Sequence, residues 1–121
     1  MTGNDWERLA NDPTYIGGVV RSRGDEGRRY CHRVSAISRA SGTLNFRFDA
    51  VAVSDDGKLW HPLPLQDNDF MWLPIDLMRI AFAEDGTATV SSEIVPVYLE
   101  AVHPMTALPA DTPRFASAGQ A

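Results

Sequence analysis

Leu44, Phe46 and Phe48 alternate with Thr43, Asn45, Arg47 and Asp49, the period of two that marks a strand with one buried face. After Asp49 the phase inverts, and Val51 and Val53 fall where the polar residues had been. A slip of one residue turns every later side chain to the other face of a sheet. A β-bulge near Asp49 and Ala50 restores the pattern and bends the strand. Asp56 and Gly57 then predict a two-residue hairpin turn, with Asp55 opposite Lys58 and Val53 opposite Trp60. Residues 43–65 are thereby read as the central hairpin of a β-rich domain. Pro62 and Pro64 assign its return strand to a sheet edge.

The remaining pattern fits around that hairpin. Residues 4–11 place Trp6, Leu9 and Ala10 on one side of a short helix, with Asn4 as cap, Glu7 as its capping-box partner and Pro13 as the stop. Trp6 is read as the residue that docks this helix. Residues 15–21 predict a strand with a sharp bend or close backbone approach at Gly17 and Gly18. A turn over 24–27 leads to a return strand over 28–37, with Arg21 beside Tyr30, Val19 beside His32 and Gly17 beside Val34. Tyr30, His32, Val34 and Ala36 then share the apolar face, and Cys31, Arg33 and Ser35 point outward. Residues 38–42 read as a loop, 66–69 as another, and 70–73 as a compact apolar run. For 74–82 a strand is favoured over a helix. Asp85 and Gly86 mark a further hairpin turn, and 88–91 and 94–102 complete the sheet, with Pro96 at a bulge or edge.

The expected fold is therefore mainly β: a small antiparallel barrel or sandwich of six to seven strands over residues 1–102, with a short N-terminal helix. Residues 103–121 are rich in Pro and Ala and lack periodicity, which predicts an extended C-terminal arm.

Composition narrows the class without naming a function. A chain of 121 residues suits one domain. No run approaches the ~18 apolar residues of a membrane span, and MTGNDWERLA is too polar and acidic for a targeting peptide. The expected location is the cytoplasm, with no membrane partner. Cys31 is the single cysteine, which excludes a disulfide within the chain and a multi-cysteine metal site. It is read as a small buried strand residue. The net charge of −5 conceals a split. Residues 1–47 carry eight Arg against five carboxylates, and 48–121 carry three basic residues against eleven. Worn as two faces of opposite sign, the split favours a specific protein partner or self-association; interleaved strands would instead cancel it in space.

Chemistry-bearing residues are scattered. His32, His61 and His103 lie on different expected strands, with no local His pair of metal-ligand spacing. Cys31 and His32, adjacent on a strand, point to opposite faces and cannot form a dyad. Asp25 with Glu26, Asp55 with Asp56, and Glu84 with Asp85 sit in turns, where Asp binds its own backbone. Asp67 and Asp69 occupy a longer loop and could offer oxygen ligands to a cation. Residues 54–60, SDDGKLW, resemble the Asp-box hairpin of sialidase-type propellers, one residue short and in a single copy. A propeller needs repeats, so the resemblance implies hairpin geometry alone. No phosphate loop, nucleophile elbow or HExxH motif is present in the sequence, and no cofactor is expected.

Three functional readings follow. The first is a non-enzymatic protein-binding module, an accessory, adaptor or inhibitor protein of a bacterium or phage. Its expected contacts are Arg23, Arg28, Arg29, Trp60, Trp72 and Phe115, because Arg and aromatics dominate binding hot spots. The second is a small enzyme or ligand-binding barrel with an interior site near His32 and His61. The third is a single-stranded nucleic-acid binder that uses the Arg-rich hairpin 21–47 with Tyr30, Phe46 and Phe48.

Overall fold

The computed structural model describes residues 2–65, 70–94 and 97–114, with side chains from Trp6 onward. The fold is mainly β and antiparallel, as the alternation predicts. Helix α1 (Thr2–Asn11) precedes strands β1 (Val19–Arg23), β2 (Arg29–Ala40), β3 (Thr43–Ser54), β4 (His61–Leu63), β5 (Phe70–Pro74), β6 (Arg79–Phe82), β7 (Ala88–Ser91) and β8 (Leu99–His103). The eight strands form one sheet in the order β4-β3-β2-β1-β8-β7-β6, and β5 also pairs with β3. That path does not close, so the expectation of a barrel or sandwich gives way to a single open sheet. One hydrophobic cluster nevertheless takes Leu73 from β5, Leu44, Phe46 and Phe48 from β3, Val90 from β7, and Trp6 and Leu9 from α1. The sheet is therefore rolled around one core, with α1 docked by Trp6 and Leu9.

The roll has an identifiable cause in β3. Val34 opposes Phe48 while Arg33 opposes Ala50, which leaves Asp49 as an extra residue. The register breaks again on β2, where Ala36 opposes Arg47 and Ser35 is left over. The Asp49 break lies where the phase inversion predicts it. It keeps Phe46, Phe48 and Val51 buried along a bent strand.

The two turns flanking β3 exchange the roles that the sequence gives them. Residues 38–42 are not a loop: β2 runs to Ala40, and Ser41 and Gly42, both at positive φ, form the tight turn into β3. The Asp56 and Gly57 turn is not a two-residue hairpin, because Val53 pairs with His61 and not with Trp60. The reason is the Asp56 side chain, whose Oδ1 accepts from Lys58 N at 2.8 Å, Leu59 N at 3.0 Å and Ser54 Oγ at 3.1 Å. Those bonds wrap the chain around Asp56 and widen the loop to residues 55–60. Backbone donors from Leu59 and Lys58 hold the Asp56 carboxyl down at about 2.

Other boundaries shift for local reasons. Tyr15 belongs to a 3-10 turn, Pro13–Tyr15, that Asp12 caps through Thr14, so β1 starts at Val19. Gly18 is a close-approach glycine, since a Cβ there would overlap the His103 carbonyl oxygen. The β1–β2 register is one residue off the expected one: Arg21 faces Cys31, Val20 faces His32 and Val19 faces Arg33. Residues 74–82 divide into a 3-10 turn, Ile75–Leu77, and the strand β6. Strand β8 begins only at Leu99. The expected Pro96 bulge and the loop 66–69 lie outside the described residues.

Candidate binding surface

The β1–β2–β3 register sorts the candidate residues onto two faces. Tyr30, His32 and Val51 face the core side with Val20 and Val34, while Arg21, Cys31, Ala52 and Ser54 share the outer side. Cys31 and His32 therefore point apart. The outer side is itself covered. Val19, Cys31, Ala52 and Ser54 are all buried beneath Arg21, Trp60 and the chain after β8. Arg21 lies 4.8 Å from the centroid of the Trp60 ring and forks onto Asp111, with Nη1 at 3.1 Å and Nη2 at 3.3 Å. The expected arm thus forms a 3-10 turn, Met105–Ala107, and contributes an ion pair to this face. Burial lifts the Cys31 thiol to about 12, which leaves it protonated and unreactive.

The arginines of this region are largely neutralised. Of the seven in 21–47, five meet a carboxylate: Arg21 with Asp111, Arg28 with Asp55, Arg29 with Glu100, Arg33 with Asp49, and Arg39 with Glu7. Arg23 is exposed and has no carboxylate partner among the described residues. Trp60 is half-buried against Arg21. Phe46 and Phe48 are core residues.

The His32 ring lies tilted against Phe48, 4.4 Å between centroids, and stacks on Tyr30 at 6.1 Å, on the core side. His61 lies exposed on β4. His103 is on β8, with Nδ1 3.2 Å from Thr87 Oγ1. The three are not gathered. No group of three His, Cys, Asp or Glu that could hold a metal occurs among the described residues. The Asp67 and Asp69 loop and Phe115 lie outside the described residues.

Trp72 stands apart from the other candidates. Leu73 opposes Leu44 and Met71 opposes Phe46 on the core side of β5, so Trp72 and Phe70 fall on the outer side, opposite Asn45 and Arg47. Trp72 is 57% exposed and Phe70 47%. Strand β5 pairs with β3 on one side only, and no strand among the described residues covers its other edge. Beside that edge runs a groove of about 460 Å³, walled by Met71, Trp72 and Leu73 of β5, Leu77 and Met78 of the following turn, and Val97, Tyr98 and Leu99 leading into β8. No charged side chain lines it. Tyr98 is 60% exposed, and its carbonyl accepts from Arg23 N at 2.8 Å.

Tyr98, Leu77 and Met78 were not among the sequence candidates. The groove assembles segments far apart in the chain, and no local pattern joins them. The one local signal was parity: Trp72 alternates with the core-facing Met71 and Leu73.

Two further clefts border α1, and both carry charge: one includes Glu7, Arg39 and Asp76, the other Asp76, Arg79 and Glu93. No described helix is long and apolar enough to cross a membrane. Comparison with protein-family models, curated proteins and solved structures gives no match to this chain. The functional reading therefore stands on this geometry.

Proposed function

We propose that the protein is a non-enzymatic protein-binding module, an adaptor or inhibitor, and that the free edge of β5 with its groove is the binding surface. The observation that carries this reading is the coincidence of a strand edge uncovered among the described residues, a groove without charged lining and two half-exposed aromatics, Trp72 and Tyr98, at one place. Exposed apolar patches of this kind mark interaction sites. An uncovered strand edge offers a row of backbone donors and acceptors that pair readily with another chain. Trp and Tyr are the residue types that most often carry interface energy.

Among the expected contacts, Trp72 belongs to this surface and Arg23 borders it. Arg28 and Arg29 are engaged with Asp55 and Glu100, and Trp60 packs on Arg21. The same neutralisation weighs against the nucleic-acid reading, since counterion release needs unpaired cations.

The test uses the full chain with an affinity tag in lysate of its native host, with and without nuclease, beside a Trp72→Asp variant of unchanged thermal stability. One stoichiometric protein, resistant to nuclease and lost with Trp72→Asp, is the expected result. Retention of the partner by Trp72→Asp, together with its loss on charge reversal of Arg28 and Arg29, would move the interface to the basic hairpin.

A further inference from the structure

We infer that the groove takes an extended peptide segment that adds a strand to β5, with apolar residues at alternate positions and one basic flank. This rests on the reading of the β5 groove as the binding surface and names the chemistry of its occupant.

Two features define the strand. The groove is bounded on one side by a strand edge and on the other by the chain leading into β8. A peptide laid along a strand edge gains backbone hydrogen bonds and sends every second side chain to the same face. Those side chains meet Met71, Leu73, Met78 and Leu99, all apolar. The volume of about 460 Å³ lies in the range of sites that hold small ligands, roughly 300–1,000 Å³. A helix, about 10 Å across with its side chains, would bring no backbone groups to the β5 edge.

Charge defines the flank. At the Ile75–Leu77 turn the groove shares Leu77 and Met78 with the neighbouring cleft, where Asp76 and Glu93 face one guanidinium, Arg79. Asp76 and Glu93 are exposed and have no ion-pair partner among the described residues. A Lys or Arg is therefore favoured on the flank nearer the turn.

The test is selection from a random dodecapeptide display library on the full-length protein, with Trp72→Asp as the parallel target. The expected consensus has aliphatic or aromatic residues two apart and Lys or Arg on one side. The corresponding synthetic peptide should lose about tenfold in affinity when a single pairing amide is N-methylated. It should lose about threefold to tenfold on Asp76→Asn with Glu93→Gln, an effect that shrinks with added salt. A consensus with helical spacing, or an acidic one, still lost on Trp72→Asp, overturns the inference and leaves the groove as the binding surface. Equal enrichment on both targets, or none on either, overturns the groove reading itself.

Discussion

The outer face of β1, β2 and β3 and the groove beside β5 differ in how much of their chemistry is already used. On the outer face most of the arginines have a carboxylate partner inside the molecule. Arg21 has Trp60 and Asp111, Arg28 has Asp55, and Arg33 has Asp49 at 2.7 Å. Beside β5 the reverse holds, because Trp72 and Tyr98 are more than half exposed and no strand among the described residues pairs with the outer edge of β5. Abundance of charge in a sequence thus says little about where a partner binds. What matters is whether the fold has already answered that charge.

The largest test of this contrast lies within β5 itself. Leu73 is 4% exposed and Trp72 57%, one residue apart on opposite faces. Leu73→Ala is expected to cost about 2–5 kcal/mol of unfolding free energy, because it opens a cavity against Leu44. Trp72→Ala should stay within about 0.5 kcal/mol, as surface substitutions do. Urea unfolding of the two variants decides it. A large loss for Trp72→Ala would mean that Trp72 serves the core and not a partner.

Next in size is Arg21, whose side chain is 13% exposed while Asp111 is 55% exposed. Arg21→Met keeps the stem over Trp60 and removes the ion pair. The expected loss is about 1 kcal/mol, a charged hydrogen bond discounted for the solvent around Asp111. Arg28→Ala breaks a pair exposed on both sides and should change stability by no more than about 0.5 kcal/mol. If Arg28→Ala proved the costlier of the two, the outer face would not be held by the chain after β8.

Much of this fold is legible where one local pattern suffices. The phase inversion at Asp49 locates the bulge, and the apolar side of residues 4–11 locates the docked helix. Pro62 marks β4 as an edge. Failure came where side chains act across or along the chain in ways that alternation does not encode. Asp56 captures two backbone donors and opens the loop that the Asp-Gly pair had suggested was tight. The carboxylates that answer the arginines are distant in sequence, as with Arg21 and Asp111, so the basic hairpin looked free. Trp72 was legible as an aromatic on a strand, whereas the wall opposite it, Val97 to Leu99, depends on how the sheet rolls.

Cys31 reports on the cover of the outer face. With its thiol held up near 12 and the side chain fully buried, native protein should resist alkylation near neutral pH. Labelling by iodoacetamide should proceed at the rate of unfolding. Rapid labelling of native protein would show that Trp60 and the chain after β8 do not seal this face.

The smallest effect expected is the pH response of His103, at the margin of the same cover. Burial lowers its pKa from the usual 6.5 and nearby Arg21 adds to this, while Asp85 and Asp111 oppose it. The native state therefore binds fewer protons than the unfolded chain, and stability increases with pH wherever that is so. The contribution is complete above the unfolded value of about 6.5 and is lost as pH falls through the lowered native value. Melting temperature should decline over that interval in the native sequence and stay flatter in His103→Gln. Both proteins should then lose stability in stronger acid, as Asp12, Asp56, Asp85 and Asp111, all depressed by their hydrogen bonds, take up protons. Parallel profiles above that acid range would mean that His103 is solvated in the native state. The outer face would then be open at its β8 end, and the contrast with the β5 groove would narrow to their charge alone.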